Sequence, residues 1–220
     1  QPQDIKTLIR QEYIKCASDP VYFMKKYYWI QHPTRGRTQF NLYPFQEKVL
    51  NLFQDNSYNI VNKSRQLGIS TLVGAYTLWM MLFQKDKNIL CIATKQETAK
   101  NLVTKAGDSG RSEAVSLLII DEAAFIDNIE EIFASAQQTL ATGGGCIAIS
   151  TPYGTGNWFH KTWTKAEARD NSFLPIRLPW TVHPERDQRW RDTQTSDLGP
   201  RLAAQECDCD FSTSGDVVFY

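Results

Sequence analysis

The chain has 220 residues, which is enough for one domain with a complete hydrophobic core. Hydrophobic residues make up 42% and charged residues 22% of the chain, a composition that argues against wholesale disorder. There are 24 Lys and Arg residues against 24 Asp and Glu residues, so the formal net charge is zero. Because a protein that only grips nucleic acid is usually basic, this balance disfavours a pure DNA-binding module and leaves local basic surfaces open.

The cysteines and the lack of a long apolar run indicate the protein's environment. The five cysteines are odd in number and lack C-x-x-C spacing, so we expect reduced thiols in an intracellular protein. Cys207 and Cys209 lack two further metal ligands nearby, which makes a zinc site a poor explanation of their spacing. The sequence shows no signal peptide and no apolar run of about 18 residues or more, so we expect no membrane span.

The first segment, residues 1–40, is expected to be helical and aromatic. Apolar residues at helical spacing predict a helix near its start: Ile5, Leu8, Ile9, Tyr13 and Ile14. A dense aromatic run follows at residues 21–29 and has the composition to stack on nucleic-acid bases. We favour a hydrophobic flank packed on the main domain, since so much exposed aromatic surface is unusual.

Apolar strands alternate with helices between residues 41 and 157. The predicted strands are residues 58–61, 88–94, 115–120 and 146–149. The predicted helices are residues 72–83, 97–105 and 129–140, after a first helix that includes Val49, Leu50 and Phe53. This alternation is typical of an α/β fold with a mainly parallel sheet covered by helices on both faces. The polar, aromatic and proline-containing remainder predicts a smaller lid and linker at residues 158–220.

The stretch after the first strand of this sheet has the outline of a phosphate-binding loop. Such a loop needs a glycine for a tight turn, inward-facing N–H groups, a helix N-terminus, a hydroxyl for Mg²⁺ and a cation. Gly68 supplies the turn, Ser70 supplies the hydroxyl, and the helix follows from Thr71. The lysine that usually precedes the hydroxyl is missing, because Ile69 stands there.

A cation is nevertheless present at the start of this loop. The first glycine of the usual pattern would fall at position 63, and that residue is Lys63, with Arg65 two positions later. A lysine entering from the start of the loop has a stem long and flexible enough to reach the phosphates. By itself the stretch is explained equally well by a strand and a basic turn, since matches to short motifs are often fortuitous.

Further polar groups follow two other predicted strands, at the edge where open parallel sheets bind their ligands. Asp121 and Glu122 come directly after a buried strand, where Asp121 can hold Mg²⁺ and Glu122 can polarise the attacking water of a hydrolysis. A surface acidic pair is the alternative for these two residues alone. Ser150 and Thr151 follow the last predicted strand, and their hydroxyls either bond a γ-phosphate or the lytic water, or simply begin a turn.

Taken together, these stretches resemble the ATPase motor domain of the tailed-phage terminase large subunit. The resemblance is carried by residues 63–71, 119–126 and 149–152, and it extends to residues 180–187 and 205–211. It implies a P-loop NTPase of the ASCE or RecA-like type with a lid subdomain. Such a domain hydrolyses ATP with Mg²⁺ to move double-stranded DNA into a procapsid. Several members of that family have deviant loops in which the cation is displaced toward the start.

The resemblance also implies roles for individual residues. Glu122 would be the catalytic base, Arg65 and Arg111 would act with it, and Ser70 and Asp121 would hold the metal. The residues expected to contact ATP are Tyr43, Gln46, Lys63, Ser64, Arg65, Gln66, Leu67, Gly68, Ile69, Ser70, Thr71, Ser150 and Thr151. The last two would also pass the loss of the γ-phosphate to the lid.

Two of these assignments have an alternative that the sequence leaves open. Tyr43 and Gln46 resemble the family's adenine-recognition segment, but they also fit a polar start to a helix. Arg111 stands where terminase ATPases carry an arginine that can reach the nucleotide of a neighbouring subunit in a ring. It fits equally well as a loop arginine paired with Glu113, since surface ion pairs are common.

The family's partners would be double-stranded viral DNA, the portal protein and the terminase small subunit. We expect a ring of identical subunits on the procapsid in the host cytoplasm, or a monomer in isolation. Two departures stand out: no nuclease domain follows, so we expect no DNA cleavage, and residues 106–109 are shorter than the family's usual insert. The alternatives are a superfamily-two helicase-like DNA translocase, which would need a second RecA-like domain, and a degenerate nucleotide-binding scaffold.

Overall fold

Five parallel strands form the central sheet of the computed structural model, which describes residues 4–32, 36–94, 115–140 and 143–211. The strands are β3 (Tyr58–Lys63), β4 (Ile89–Ala93), β5 (Leu117–Asp121), β6 (Gly145–Ser150) and β7 (Leu174–Leu178). Their order across the sheet is β4-β5-β6-β3-β7, and every neighbouring pair is parallel. The predicted α/β class with a parallel sheet is confirmed.

Helices cover both faces of this sheet. The described helices are α1 (Ile5–Ser18), α2 (Pro20–Tyr27), α3 (Pro44–Asp55), α4 (Ile69–Phe83), α5 (Ile129–Leu140), α6 (Trp158–Glu167), α7 (Gln188–Leu198) and α8 (Pro200–Asp208). Short 3₁₀ turns lie at Ala123–Phe125 and Trp180–Val182, and a small antiparallel hairpin consists of β1 (Trp29–His32) and β2 (Gly36–Gln39). The predicted helix at 97–105 and Arg111 lie outside the described residues.

Side chains alternate between two apolar layers along each central strand. In β3, Val61 packs with one layer, which contains residues of α2, α3 and α4, while Ile60 packs with the other layer, which contains residues of α5 and α6. This alternation follows from the two-residue repeat of a strand. Since both layers are apolar, the strands read as continuous apolar runs, which is why they were predictable.

The fifth strand was not predicted. Residues 158–220 were assigned to a lid and linker, yet β7 from this range pairs with β3 and completes the central sheet. Pro175 obscured the strand in the sequence, because proline lacks the N–H that a central strand needs. As the last strand in the sheet order, β7 pairs with β3 alone and therefore tolerates the proline. A lid role for α7 and α8 stays a prediction.

The N-terminal segment is joined to the core by buried side chains of α1 and α2. Cys16, Phe23 and Met24 are buried in the layer that contains α4, and the Trp79 indole Nε1 of α4 donates to the Cys16 carbonyl at 2.7 Å. The predicted helix is present as α1, but its apolar side chains do not form the buried face. Ile9, for example, is 65% exposed.

The described helices include none that is both long and apolar enough to cross a lipid bilayer.

We expect Met24→Ala to lower the free energy of unfolding by about 2 to 5 kcal/mol, because it leaves a cavity in a fully buried site. Ile9→Ala, at an exposed position of α1, should change it by less than about 0.5 kcal/mol. Chemical denaturation of the two variants measures both values. Equal effects would mean that the N-terminal segment does not belong to the cooperative core.

Candidate functional site

The carboxyl ends of four neighbouring strands lie level with one another. Asn62 of β3 is in register with Ser150 of β6, and Ile149 of β6 is in register with Asp121 of β5. Ala93 of β4 is in turn the partner of Asp121. The loop after β3, the acidic pair after β5 and the hydroxyls after β6 therefore meet at one edge of the sheet, as the sequence predicted.

The loop between β3 and α4 folds as a tight turn with left-handed residues. Gln66 has φ 56° and Gly68 has φ 70°, and Gly68 is the N-cap of α4. Alternation of right- and left-handed conformations turns successive N–H groups to the same side and makes an anion-binding concavity. The helix N-terminus adds its partial positive charge. Ile69, which occupies the usual lysine position, is 1% exposed and packs in the apolar core.

Lys63 lies at the end of β3, where the loop begins. Burial lowers the pKa of its ammonium, while the negative charges of Asp121, Glu122 and Glu206 oppose that shift and favour the charged form. The structure therefore places the displaced cation among the carboxylates at the strand ends. Its assignment as the phosphate-binding lysine stays a prediction.

Asp121 is buried at the end of β5, on the side of the sheet where the loop with Ser70 lies. Asp121 is 2% exposed, and burial raises the pKa of its carboxyl, whereas the Ser70 side chain and the charge of Lys63 lower that pKa. A carboxylate and a hydroxyl are hard oxygen donors of the kind that Mg²⁺ prefers. The residues present therefore fit the metal that the sequence analysis expected there.

Glu122 follows Asp121 in a left-handed conformation, with φ 55°. Its N–H donates to Asp121 Oδ1 at 3.0 Å, and its carboxylate Oε2 accepts from the Thr94 hydroxyl at 2.8 Å. The side chain is exposed, so it is accessible to water. Sequence reasoning missed Thr94, although its position directly after strand β4 was a usable signal.

Arg65 has a different partner from the one expected. Its Nε lies 2.7 Å from Oε2 of Glu206, a buried carboxylate in α8, and its backbone N–H donates to the Glu206 carbonyl at 2.8 Å. The Arg65 side chain itself is largely exposed. In this structure Arg65 ties the loop to α8, and a phosphate contact by Arg65 stays a prediction.

Gln46 supports the loop from α3. Its side-chain Oε1 accepts from the Tyr43 N–H at 3.0 Å, and its Nε2 donates to the Leu67 carbonyl at 2.9 Å. The Tyr43 ring lies beside His183, with ring centroids 4.6 Å apart, and its hydroxyl donates to Glu185 at 3.2 Å. Gln46 is buried, so the structure gives it the helix-start and loop-holding role, while adenine contact by either residue stays a prediction.

Ser150 and Thr151 are both buried after β6. The Ser150 hydroxyl accepts from the Ala124 N–H at 3.1 Å, so it joins the end of β6 to the turn that carries Glu122. This contact connects two of the predicted site segments directly. A bond from either hydroxyl to a phosphate stays a prediction.

Arg186 contacts the loop after β3, and the sequence analysis did not predict this contact. Its guanidinium donates to the Ser64 hydroxyl at 3.1 Å and to the carbonyls of Arg65 and Gln66 at 3.0 and 3.1 Å. The residue belongs to a stretch that contributed to the resemblance, but no signal in the sequence shows that it folds back onto a loop so much earlier in the chain.

Solved structures with this fold were found by comparison. The HK97 bacteriophage large terminase matches with a TM-score of 0.63 and 12% identity, over 90% of this chain and 55% of that chain. The large terminase of a thermophilic bacteriophage, in complex with ATP-γ-S, matches with a TM-score of 0.63 and 11% identity, over 78% of this chain and 53% of that chain. The large terminase ATPase domain of Thermus phage P74-26 matches with a TM-score of 0.59 and 18% identity, over 78% of this chain and 94% of that domain.

This is the terminase ATPase fold. The match to nearly all of the P74-26 domain confirms the predicted P-loop NTPase architecture and, at the level of fold, the resemblance on which it was based. The chain spans about half the length of the HK97 large terminase and of the one solved with ATP-γ-S. A scan against protein-family models finds no match.

We expect Gly68→Ala to lower the free energy of unfolding by about 2 kcal/mol. Alanine in the left-handed backbone conformation of Gly68 costs about 1 kcal/mol, and loss of the Gln46–Leu67 hydrogen bond costs about 1 kcal/mol more. An added Cβ would lie 2.9 Å from Gln46 Nε2, the atom that holds the Leu67 carbonyl. Gly36→Ala is the matched control, since Gly36 has φ 68° and open space around it. Denaturant unfolding compares them, and equal losses would contradict the contact with Gln46.

Proposed function

We propose that this chain is an ATP-hydrolysing motor domain that moves double-stranded DNA into a viral procapsid. The observation that carries the proposal is the register of β3, β5 and β6, which brings the loop with Lys63 and Ser70 and the Asp121–Glu122 pair to one edge of the sheet. A phosphate-binding turn, a hydroxyl–carboxylate metal pair, a cation and an exposed carboxylate are the parts that phosphoryl transfer to water requires. The terminase ATPase fold supports the assignment of these parts to a packaging motor.

The nucleotide is ATP, and its phosphates bind in the turn between β3 and α4. Lys63 neutralises their charge from the start of the loop, because the usual lysine position is occupied by buried Ile69. A protein of this fold, the large terminase of a thermophilic bacteriophage, is solved in complex with ADP and with ATP-γ-S. Those complexes support nucleotide binding by this chain.

Ser70 and Asp121 would hold Mg²⁺. When bound, this ion would neutralise part of the negative charge of the phosphates. The parallel register brings the turn that carries Ser70 to the end of the strand that carries Asp121 before any ligand arrives. Such preorganisation lowers the entropy that binding must remove.

Glu122 acts on the attacking water. Its carboxylate accepts a proton as the water oxygen forms a bond to the γ-phosphorus, and the bond from that phosphorus to the bridging oxygen of ADP breaks. The products are ADP and inorganic phosphate. The Thr94 hydroxyl, which donates to Glu122 Oε2, holds the carboxylate in one orientation.

Coupling to DNA proceeds through the segments that follow the strands. The Ser150–Ala124 hydrogen bond links the end of β6 to the Glu122 turn, so a change at the γ-phosphate reaches both at once. The motor is proposed to work as a ring of identical subunits on the procapsid, with the portal protein and the terminase small subunit as partners. Arg111 would reach a neighbouring subunit's nucleotide in that ring.

We expect Glu122→Gln to lower kcat for ATP hydrolysis by about 100-fold or more, because a glutamine cannot accept the proton. The dissociation constant for MgATP should stay within about threefold of wild type, since the charge contacts to the phosphates remain. Glu131→Gln, which removes an exposed carboxylate of α5, is the control and should hydrolyse ATP normally. Steady-state phosphate release measures the rates.

Undiminished turnover in Glu122→Gln would mean that another group is the base. A wild-type protein that neither binds nor hydrolyses ATP would favour the degenerate scaffold instead.

We expect Lys63→Ala to raise the dissociation constant for MgATP by about tenfold to 100-fold, the effect of losing a charge-assisted contact to phosphate. Lys48→Ala removes the same charge from an exposed site in α3 and should bind as wild type does. Isothermal titration calorimetry compares them. Equal affinities for the three proteins would contradict the displaced-cation assignment.

A further inference from the structure

Arg186 makes three hydrogen bonds to the loop after β3. Nη1 donates to the Ser64 hydroxyl at 3.1 Å, and Nη2 donates to the carbonyls of Arg65 and Gln66 at 3.0 and 3.1 Å. One planar guanidinium thus holds a side chain and two consecutive peptide groups, which a single ammonium cannot do in the same geometry.

These contacts determine which way the peptide groups of the loop face. In a planar trans peptide, the C=O and the following N–H point in opposite directions. Because the Arg65 and Gln66 carbonyls face Arg186, the N–H groups of Gln66 and Leu67 point away from Arg186. Gln46 has a similar effect one residue later, because its Nε2 binds the Leu67 carbonyl and the Gly68 N–H therefore points away from Gln46.

The other N–H groups of the loop are already in use. Those of Ser64 and Arg65 donate to the carbonyls of Leu178 and Glu206, both at 2.8 Å. Within the described part of the chain, no backbone carbonyl accepts from the N–H groups of Gln66, Leu67 or Gly68. These three N–H groups are therefore available to donate hydrogen bonds to an anion in the turn.

We propose that Arg186 is a positioning residue, which presets the Gln66 and Leu67 N–H groups to bind nucleotide phosphates. The inference rests on the proposed function, since it concerns the same nucleotide site. Arg186 acts through backbone geometry, because its N–H groups are directed to the loop's hydroxyl and carbonyls.

Neighbouring residues fix the guanidinium in this position. Its central carbon lies 4.3 Å from the centre of the Trp190 ring, a cation–π contact that restrains the arginine plane. Trp190 belongs to the first turn of α7, where its N–H donates to the Asp187 side chain at 2.8 Å. Arg191 binds Asp208 of α8 through two nitrogens, at 2.9 and 2.6 Å. The guanidinium that binds the loop is thus restrained by α7, which is itself joined to α8 by an ion pair.

The experiment measures dissociation constants for MgATP and MgADP, together with kcat and KM, in the full chain. Arg186→Ala should raise both dissociation constants by about tenfold, the effect of losing the preset N–H groups. Arg186→Lys keeps the positive charge but loses the planar guanidinium with its several N–H donors. This variant should therefore also bind both nucleotides about tenfold more weakly than wild type. Arg189→Ala removes an exposed arginine from α7, the helix that follows Arg186, and should bind as wild type does.

Thermal unfolding without nucleotide shows whether each variant is folded. If Arg186→Ala does not fold, the affinities of Arg186→Lys decide the question. Wild-type affinity in Arg186→Ala, or full affinity in Arg186→Lys, would overturn the inference. A lower kcat with unchanged dissociation constants would also overturn it, because a merely structural role reduces the active fraction and not the affinity. If the wild-type protein itself binds no nucleotide, the proposed function fails, and this inference fails with it.

Discussion

The parallel register of the central sheet is the constraint on which the site depends. Because the carboxyl ends of β3, β5 and β6 are level, residues separated by up to about ninety positions in the chain come within contact of each other. Ser150, for example, accepts from the Ala124 N–H in the turn that carries Glu122. A shift of one strand by a single residue would turn its apolar side chains to the opposite layer, so the packing of both layers maintains the register.

Charge at the strand ends is balanced locally, although the chain as a whole is neutral. Lys63 lies in the field of Asp121, Glu122 and Glu206, while burial opposes ionisation of both Lys63 and Asp121. These carboxylates favour the charged form of Lys63 against the effect of burial, and added phosphates would compete with them for it. The same argument applies to Arg65, whose ion pair with the buried Glu206 neutralises that carboxylate in the absence of nucleotide.

The C-terminal helices are structurally part of the loop's environment. Glu206 of α8 contacts Arg65 through both its backbone and its side chain. Arg186, just before α7, donates to the carbonyls of Arg65 and Gln66. The side chain of Asn62, at the end of β3, also donates to the Cys209 carbonyl at 3.1 Å. Movement of these helices would therefore be transmitted to the phosphate-binding turn without any intermediate domain. This arrangement gives a direct physical link between the nucleotide site and the part of the chain that was expected to act as a lid.

Local sequence patterns were enough to predict four of the five strands of the central sheet. Continuous apolar runs predicted β3, β4, β5 and β6, and these predictions succeed because burial on both faces leaves a local apolar pattern. Lys63, Ser70, Asp121 and Glu122 were proposed from equally local patterns, a basic turn with a glycine and acids directly after a buried strand, and their roles stay predictions.

Only the tertiary structure decided which distant side chains support those residues. Strand β7 was hidden by Pro175, whose tolerance depends on an edge position that no local pattern encodes. Thr94, Glu206 and Arg186 contact the site through packing of strands and helices that lie far apart in the chain. The exposed face of α1 has the same cause, because apolar spacing predicts a helix but not which side of it will be covered. Local sequence therefore specifies the chemical groups, and the long-range packing specifies how they are held.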